Sequence, residues 1–279
     1  MDPDAIFRFV QELAADLSKG PIVFPTAFDT TLRIRDLLRD EDASTLDIAK
    51  LVQTDPLLSS RVLHTANSAA LNRSGNPIRD VKAAVALMGI ANVRVMALSI
   101  AMQQLRTYKE MARFETLCNR YMLHSRYVAA VACILAREHT KVPPETAYFT
   151  GLVHDIGLFY LLYRIAERTD LFPNPDEVPG LLYDWHASIG HALLSALDTP
   201  EEILRAIETH EESRRIEVMR GLGDLLQVAN LIASRIGPED ARMGAPFDTQ
   251  RREDVILFDE YLATAETHYD EIERLSKLI

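Results

Sequence analysis

The stretch YMLHSRYVAAVACILA, residues 121–136, decides the fold class because its apolar residues recur at helical spacing. Val128, Val131 and Leu135 lie three and four positions apart, which places them on one face of an α-helix. No series of segments elsewhere in the chain alternates apolar and polar residues as the strands of a sheet would. The sequence therefore predicts an all-α protein.

Capping residues predict where several helices begin and end. Asp55 followed by Pro56 is an N-cap with proline at the first helical position, and Ser44 is suited to cap the helix after it. Gly89 is expected to end one helix just before another begins. A long helix is predicted from about Phe114 to His139, and roughly a dozen helices are predicted in total.

The length of 279 residues allows one large domain or two smaller ones. We predict an N-terminal helical bundle over residues 1–110 and a second bundle over residues 111–240. Residues 241–279 are expected to form a C-terminal helix, from about Gln250 to Lys277, that packs on the core.

Composition and charge narrow the class of protein. The formal net charge of −11 argues against a general affinity for nucleic acid, and the apolar runs are too often interrupted to cross a membrane. The acidic N-terminus lacks the features of a signal peptide. Cys118 and Cys133, the only cysteines, fall in one predicted helix without metal-ligand spacing. We therefore predict a cytoplasmic protein with core thiols.

A polar pair interrupts the apolar stretch TGLVHDIGLFYLL, residues 150–162. Burying His154 and Asp155 there is unfavourable unless something binds them. Similar polar residues lie on the apolar faces of other predicted helices: His124, His186, His210 and Asn230. Because each buried polar group needs a partner, the simplest common solution is that all of them converge on one site.

Two interpretations of such a site stay open at this point. Several imidazoles with a carboxylate form a ligand set suited to Fe, Mn, Zn or Ni. Alternatively, the same side chains could hydrogen-bond one another and lock the core of the bundle. The spacing of these residues in the sequence does not decide between a metal site and a polar lock.

The dipeptide in GLVHDIG resembles the signature of the HD superfamily of helical metal-dependent phosphohydrolases. The N-terminal half is similar to the HDOD family, the HD-related output domains of bacterial signalling proteins. The shared features are Thr54–Asp55–Pro56, the ANSA at residues 66–69 and the AVALMG that ends at Gly89. The resemblance covers roughly residues 20–235 and implies two packed bundles, with an HD-like bundle at 111–240, in a chain that acts as one HDOD module.

The resemblance implies metal ligands at His124, His154, Asp155, His186, His210 and Asn230. This chain departs from the catalytic pattern at Asn230, where catalytic members have Asp, and at Leu158, where they often have Lys. The cyclic-di-GMP phosphodiesterase branch has a second His where Glu211 stands here, followed by a GYP tripeptide that this chain lacks.

These departures favour a signalling output module that acts through protein contacts, with a degenerate metal site and no turnover. The alternative is a metal-dependent phosphohydrolase acting on a nucleotide or another phosphoester, in which His154 and Asp155 would be the catalytic residues. The candidate cofactor is a divalent transition metal (Fe, Mn, Zn or Ni); if the residues form a polar lock instead, there is none. No receiver, GGDEF or kinase segment is expected, so the signal would come from a small ligand or a separate protein.

The partners that the resemblance implies are another signalling protein or a second copy of the chain, with no nucleic acid and no membrane. The irregular stretch NSAALNRSGNPIRD, residues 67–80, is a candidate contact surface. Within it we expect Asn67 and Ser68 to cap a helix or fix the loop, and Arg73 and Asn76 to contact a partner.

Overall fold

The computed structural model describes residues 3–19, 29–38, 44–68, 71–72, 75–212, 216, 218–244, 247 and 259–277. Within these residues there is no strand, and the all-α prediction is confirmed. The α-helices, in chain order, are α1 Pro3–Lys19, α2 Asp29–Leu38, α3 Thr45–Gln53, α4 Pro56–Ala66, α5 Val81–Met88, α6 Ile90–Leu105, α7 Glu115–His139, α8 Pro144–Val153, α9 Ile156–Ala166, α10 Val178–Ala196, α11 Glu201–Thr209, α12 Leu222–Ile236, α13 Asp259–Thr267 and α14 Tyr269–Leu275. Short 3-10 helices cover Lys109–Phe114, Pro175–Glu177 and Glu239–Ala241.

The predicted caps form as the sequence indicates. Ser44 and Asp47 make a reciprocal capping box at the start of α3. The Asp55 carboxylate accepts hydrogen bonds from the backbone N–H groups of Leu57 and Leu58, at 3.0 Å each. Gly89 joins α5 to α6 with a φ of 77°, which a residue with a side chain rarely adopts.

The second half of the chain is built around α7. This helix packs against α8, α12, α13 and α14, and its residues from Tyr127 to Ala136 are all buried. The cysteines Cys118 and Cys133 both lie on it, and burial raises the pKa of each thiol to about 12. The prediction of core thiols therefore agrees with the structure.

Helix α6 joins the two halves. It packs against α2, α4 and α5 on one side and against α8 and α9 on the other. Every residue from Asn92 to Met102 is buried, as expected for a helix enclosed on all sides. Helix α1, which the sequence assigns to the first bundle, packs against α10. Its Phe9 ring also lies 5.1 Å from the ring of Phe172, in the segment between α9 and α10. The bundle boundaries near residues 110 and 240 stay a prediction.

The single C-terminal helix that we predicted is wrong. The described part of that segment forms two helices, α13 and α14, separated at His268. Ala265 of α13 and Ile272 of α14 are both fully buried, and both helices pack on α7. Part of the predicted helix, residues 250–258, lies outside the described residues.

The stretch at residues 67–80 is fixed by Asn67, as predicted. Its amide donates to the carbonyls of Leu63 and Ile78 at 2.9 and 2.8 Å and accepts from the Ile78 N–H at 2.8 Å. The carbonyl of Asn76 accepts from the Asn72 side chain at 2.7 Å, and Arg73 lies outside the described residues. A partner contact at this surface stays a prediction.

Across the described part of the chain, no single helix is both long and apolar enough to cross a bilayer. The α5–α6 pair would pass by length and composition, but it is bent by 106°.

Candidate metal centre

The six predicted site residues meet in one place in the second bundle. They come from α7 (His124), the α8–α9 junction (His154 and Asp155), α10 (His186), the end of α11 (His210) and α12 (Asn230). None of the six exposes more than 2% of its surface. The ring centroids of neighbouring histidines lie 5.0–5.5 Å apart. The predicted convergence is therefore present, and the metal-binding role of these residues stays a prediction.

Three of these residues lie at helix ends, whereas the sequence placed each on a helix face. His154 and Asp155 form the two-residue break between α8 and α9, and His210 follows the last residue of α11. A break at this point turns the chain, so that neighbouring side chains can both face the centre of the bundle.

A close approach of α9 and α10 positions His186. A Cβ atom on Gly157 would lie 2.0 Å from the His186 carbonyl oxygen and 2.7 Å from the Gly190 nitrogen. Only glycine can occupy position 157 at this separation. The approach is looser at Gly190, where a Cβ atom would lie 3.4 Å from the Gly157 nitrogen.

Backbone carbonyls orient three of the imidazoles. The Nδ1 atom of His154 lies 2.8 Å from the Gly151 oxygen, and that of His210 lies 2.6 Å from the Ile207 oxygen. His186 Nδ1 lies 3.0 Å from the carbonyl of Leu182. A carbonyl can only accept, so each Nδ1 carries the hydrogen, and in the neutral form of each ring the Nε2 lone pair points to the centre. This is the form in which histidine binds metals.

Asp155 lies between two groups of possible ligands. Its Oδ2 is 3.2 Å from His154 Nε2, and its Oδ1 is 3.6 and 3.5 Å from the Nε2 atoms of His186 and His210. The ligand atoms of His124, His154 and Asp155 lie within 4.8 Å of one another, and so do those of Asp155, His186 and His210. Asp155 is therefore common to two candidate metal-binding triads.

The arrangement brings imidazole nitrogens and carboxylate oxygens close together in the centre. The Nε2 atoms of His186 and His210 are 3.2 Å apart, and neither Asp155 oxygen accepts a hydrogen bond of acceptable geometry. Buried lone pairs at these distances repel one another unless a cation lies among them. The donor set and the unsatisfied Asp155 oxygens fit a divalent metal ion better than a lock of mutual hydrogen bonds.

The protonation states agree with this interpretation. Burial lowers the pKa of His154 and lowers that of His186 to about 4, so both rings are neutral at pH 7. Although burial opposes ionisation, the pKa of Asp155 lies well below its ordinary value. The centre therefore contains a buried carboxylate charge.

Asn230 connects two neighbours through its amide. The Oδ1 atom lies 2.8 Å from His124 Nε2, which must carry the hydrogen there, and Nδ2 donates to Glu211 Oε1 at 3.4 Å. Both ends of the amide are thus hydrogen-bonded to site residues.

Two further residues at the site were not predicted as part of it. Glu211 was noted only as a departure from a related branch, yet its carboxylate lies 3.2 Å from His210 Nε2. The ring of Phe247 lies 5.6 Å from that of His186 and covers it on one side. Adjacency to His210 could have indicated Glu211, whereas nothing in the sequence around Phe247 points to the centre.

Position 158, which the resemblance associates with Lys in catalytic relatives, is a leucine here and contributes no cation. The Leu158 side chain is fully buried.

Comparison with known proteins identifies the family. The sequence profile of the HDOD domain family matches residues 24–213. The chain belongs to the HDOD family. No curated protein matches it.

Solved structures resemble this HDOD protein over its whole length. A "Putative metal-dependent phosphohydrolase" from Shewanella amazonensis shares 20% identity over 98% of both chains, with a TM-score of 0.69. An HDOD domain protein of unknown function from Geobacter sulfurreducens shares 20% identity over 100% of this chain and 99% of its own, with a TM-score of 0.56. A "Putative signal transduction protein" from Marinobacter aquaeolei shares 19% identity over 99% of this chain and 66% of its own, with a TM-score of 0.54. At these identities the likeness establishes a common fold.

Proposed function

We propose that this HDOD protein is a signalling output module whose buried centre holds a divalent transition metal and which acts through contacts with another signalling protein. The observation that carries the metal assignment is the buried cluster of acceptors around Asp155, in which Nε2 and carboxylate atoms lie 3.2–3.6 Å apart. Ligand atoms around a tetrahedral ion with bonds of about 2.0–2.2 Å would lie about 3.3–3.6 Å apart.

The residues that would hold the metal are His154, Asp155, His186 and His210, with His124 near the first two. When bound, such a metal would lower the pKa of a coordinated water and polarise a phosphoryl oxygen. The chain's own residues orient the imidazoles, neutralise part of the ion's charge and exclude bulk water.

Burial supports a signalling role over turnover. The ligands are at most 2% exposed, which leaves no open face on them for a phosphoester, and Leu158 offers no charge to a phosphate. Membership of the HDOD family and the likeness to a protein named for signal transduction support the same proposal. We propose a separate signalling protein as the partner, with a second copy of the chain as the alternative.

A metal-dependent phosphohydrolase is the second candidate. The observation in its favour is that four histidines and Asp155 are retained with ligand geometry, in a fold shared with a structure named as a phosphohydrolase. Position 230 argues against it, because Asn replaces the Asp of catalytic members.

Metal content and hydrolysis measured on one preparation test both candidates. We expect purified wild-type protein to contain a transition metal by elemental analysis, and the double variant His154→Ala, Asp155→Ala to contain none. The exposed His64 of α4 provides a control, since His64→Ala should keep the metal.

A screen of the same wild-type preparation against nucleotide and other phosphoesters should show no metal-dependent hydrolysis. Wild-type protein without metal would contradict the assignment of the centre. Hydrolysis that disappears in the double variant would establish the phosphohydrolase instead.

A further inference from the structure

We propose that Glu211 supplies the second carboxylate of the metal centre and replaces the acid that position 230 lacks. The inference rests on the metal-binding function proposed above and adds a ligand that neither the resemblance nor the two triads contain.

The first argument is the position of the Glu211 carboxylate. Its Oε1 atom lies 3.2 Å from His210 Nε2 and 3.6 Å from His186 Nε2, and these two nitrogens are 3.2 Å apart. The three atoms form a triangle of the size that a tetrahedral shell with bonds of about 2.0–2.2 Å presents on each face. Asp155 Oδ1 forms a second triangle with the same two nitrogens, at 3.6 and 3.5 Å.

The second argument is the charge of the site. With neutral imidazoles, Asp155 alone would leave a divalent ion with an excess positive charge in a buried site. An unpaired buried charge is costly, and a second carboxylate removes it. The Glu211 side chain is only 16% exposed, so water screens its charge weakly.

The third argument is the contact between the two exchanged positions. The Asn230 amide nitrogen donates to Glu211 Oε1 at 3.4 Å, and its oxygen accepts from His124. Catalytic members have an aspartate at position 230 and the cyclic-di-GMP branch has a histidine at position 211, whereas this chain has an amide at 230 and a carboxylate at 211. The total charge of the site is kept while the carboxylate changes position. Asn230 then acts as a positioning residue for Glu211 and His124.

The test compares metal affinity, measured by competition with a chelator of known affinity, in matched variants. Glu211→Gln keeps the shape of the side chain and removes its charge, and we expect it to bind Zn²⁺ or Mn²⁺ about 10–100-fold more weakly than the wild type. Glu212→Gln changes the exposed neighbouring carboxylate and should bind as the wild type does.

A charge exchange completes the design. Adding Asn230→Asp to Glu211→Gln returns the carboxylate to the position that it has in catalytic members, and affinity should recover most of the loss. Elemental analysis of the purified proteins should show most metal in the wild type and Glu212→Gln, less in the double variant, and least in Glu211→Gln.

The outcomes separate the two proposals. Wild-type protein that binds no metal overturns the metal-binding function itself. Wild-type protein that binds metal while Glu211→Gln binds equally well overturns the role of Glu211 alone. A loss in Glu211→Gln that Asn230→Asp does not repair overturns the exchange of the two positions.

Discussion

At the scale of single residues, the centre has the polarity that an ion would need. Each of three imidazoles has its Nδ1 atom at a backbone carbonyl, so in the neutral form of the ring the Nε2 lone pair faces inward, toward Asp155. A site of this kind costs free energy until its ligand binds, which is common where function sets the residue.

This cost leads to a prediction for Asp155→Asn. The new amide can donate hydrogen bonds to the Nε2 atoms of His154, His186 or His210, so the metal-free variant should be more stable than the metal-free wild type by about 1–3 kcal/mol. Denaturant unfolding of both proteins in the presence of chelator measures the difference. Added metal should stabilise the wild type and leave the variant unchanged.

A metal-free Asp155→Asn variant that unfolds more easily than the wild type would show that Asp155 is well satisfied by its neighbours. The interpretation of the centre as a hydrogen-bonded lock would then be preferred.

The sequence predicted a site residue only where a polar side chain interrupted an apolar helix face. His124 and Asn230 stood out on apolar faces, and both lie at the centre. Glu211 did not stand out because it follows the end of α11 among other acidic residues, where a solvent-exposed side chain is the ordinary expectation. Its inward direction depends on how α11 and α12 pack, which local sequence does not specify.

At the scale of helices, the contact between α9 and α10 sets the geometry of the centre. Gly157 lies directly against the backbone of α10 beside His186, which allows the two helices to approach. The separation of these helices therefore determines where one of the ligands lies.

We predict that Gly157→Ala destabilises the protein by about 3 kcal/mol. The new methyl group would meet backbone atoms of α10, which can move only if the helix moves with them. It should also weaken metal binding by displacing His186. Gly180→Ala is a matched control on α10, since a Cβ at that position meets no atom within 4 Å. The control should lose no stability and gain at most about 0.5–1 kcal/mol.

Thermal unfolding and metal affinity of the two glycine variants provide the measurement. Equal stability of the two would mean that α9 and α10 can separate without cost, and the centre would then not depend on their contact.

The existence of the helices was predictable, and so were the ends that carry strong caps. Ser44, Asp55 and Gly89 act locally, through bonds to residues one turn away, so the sequence alone indicates them. The break at His268 was not predictable, because no proline or glycine marks it. Both helices on either side of it bury apolar residues against α7.

At the scale of the whole molecule, the buried α6 makes the two halves share one core. Its residues contact helices of both halves, and the buried residues of the chain form one contiguous cluster. Neither half could expose its side of α6 to water without a large loss of hydrophobic free energy.

We therefore predict one cooperative thermal transition for the full chain, with equal calorimetric and van't Hoff enthalpies. Metal at about 100 times its dissociation constant should stabilise the folded state by about 2.7 kcal/mol and move the whole transition upward. Differential scanning calorimetry with metal and with chelator tests this. Two separate transitions, only one of which responds to metal, would contradict a shared core.

The bundle arrangement was predictable only through the resemblance to a family. Periodicity identifies helix faces but does not say which faces meet, and the packing of α1 on α10 joins segments more than 150 positions apart. The sequence contains no local signal for contacts of that range.

The enclosure of α6 has a thermodynamic consequence for regulation. A protein that binds the first bundle and displaces α6 must also displace α8, whose last turn leads directly into His154 and Asp155. Occupancy of the ion and affinity for that protein would then be linked, and linkage is reciprocal. The factor by which the partner lowers the affinity for the ion equals the factor by which the ion lowers the affinity for the partner. Measuring the affinity for one of them, with and without the other, therefore gives both factors.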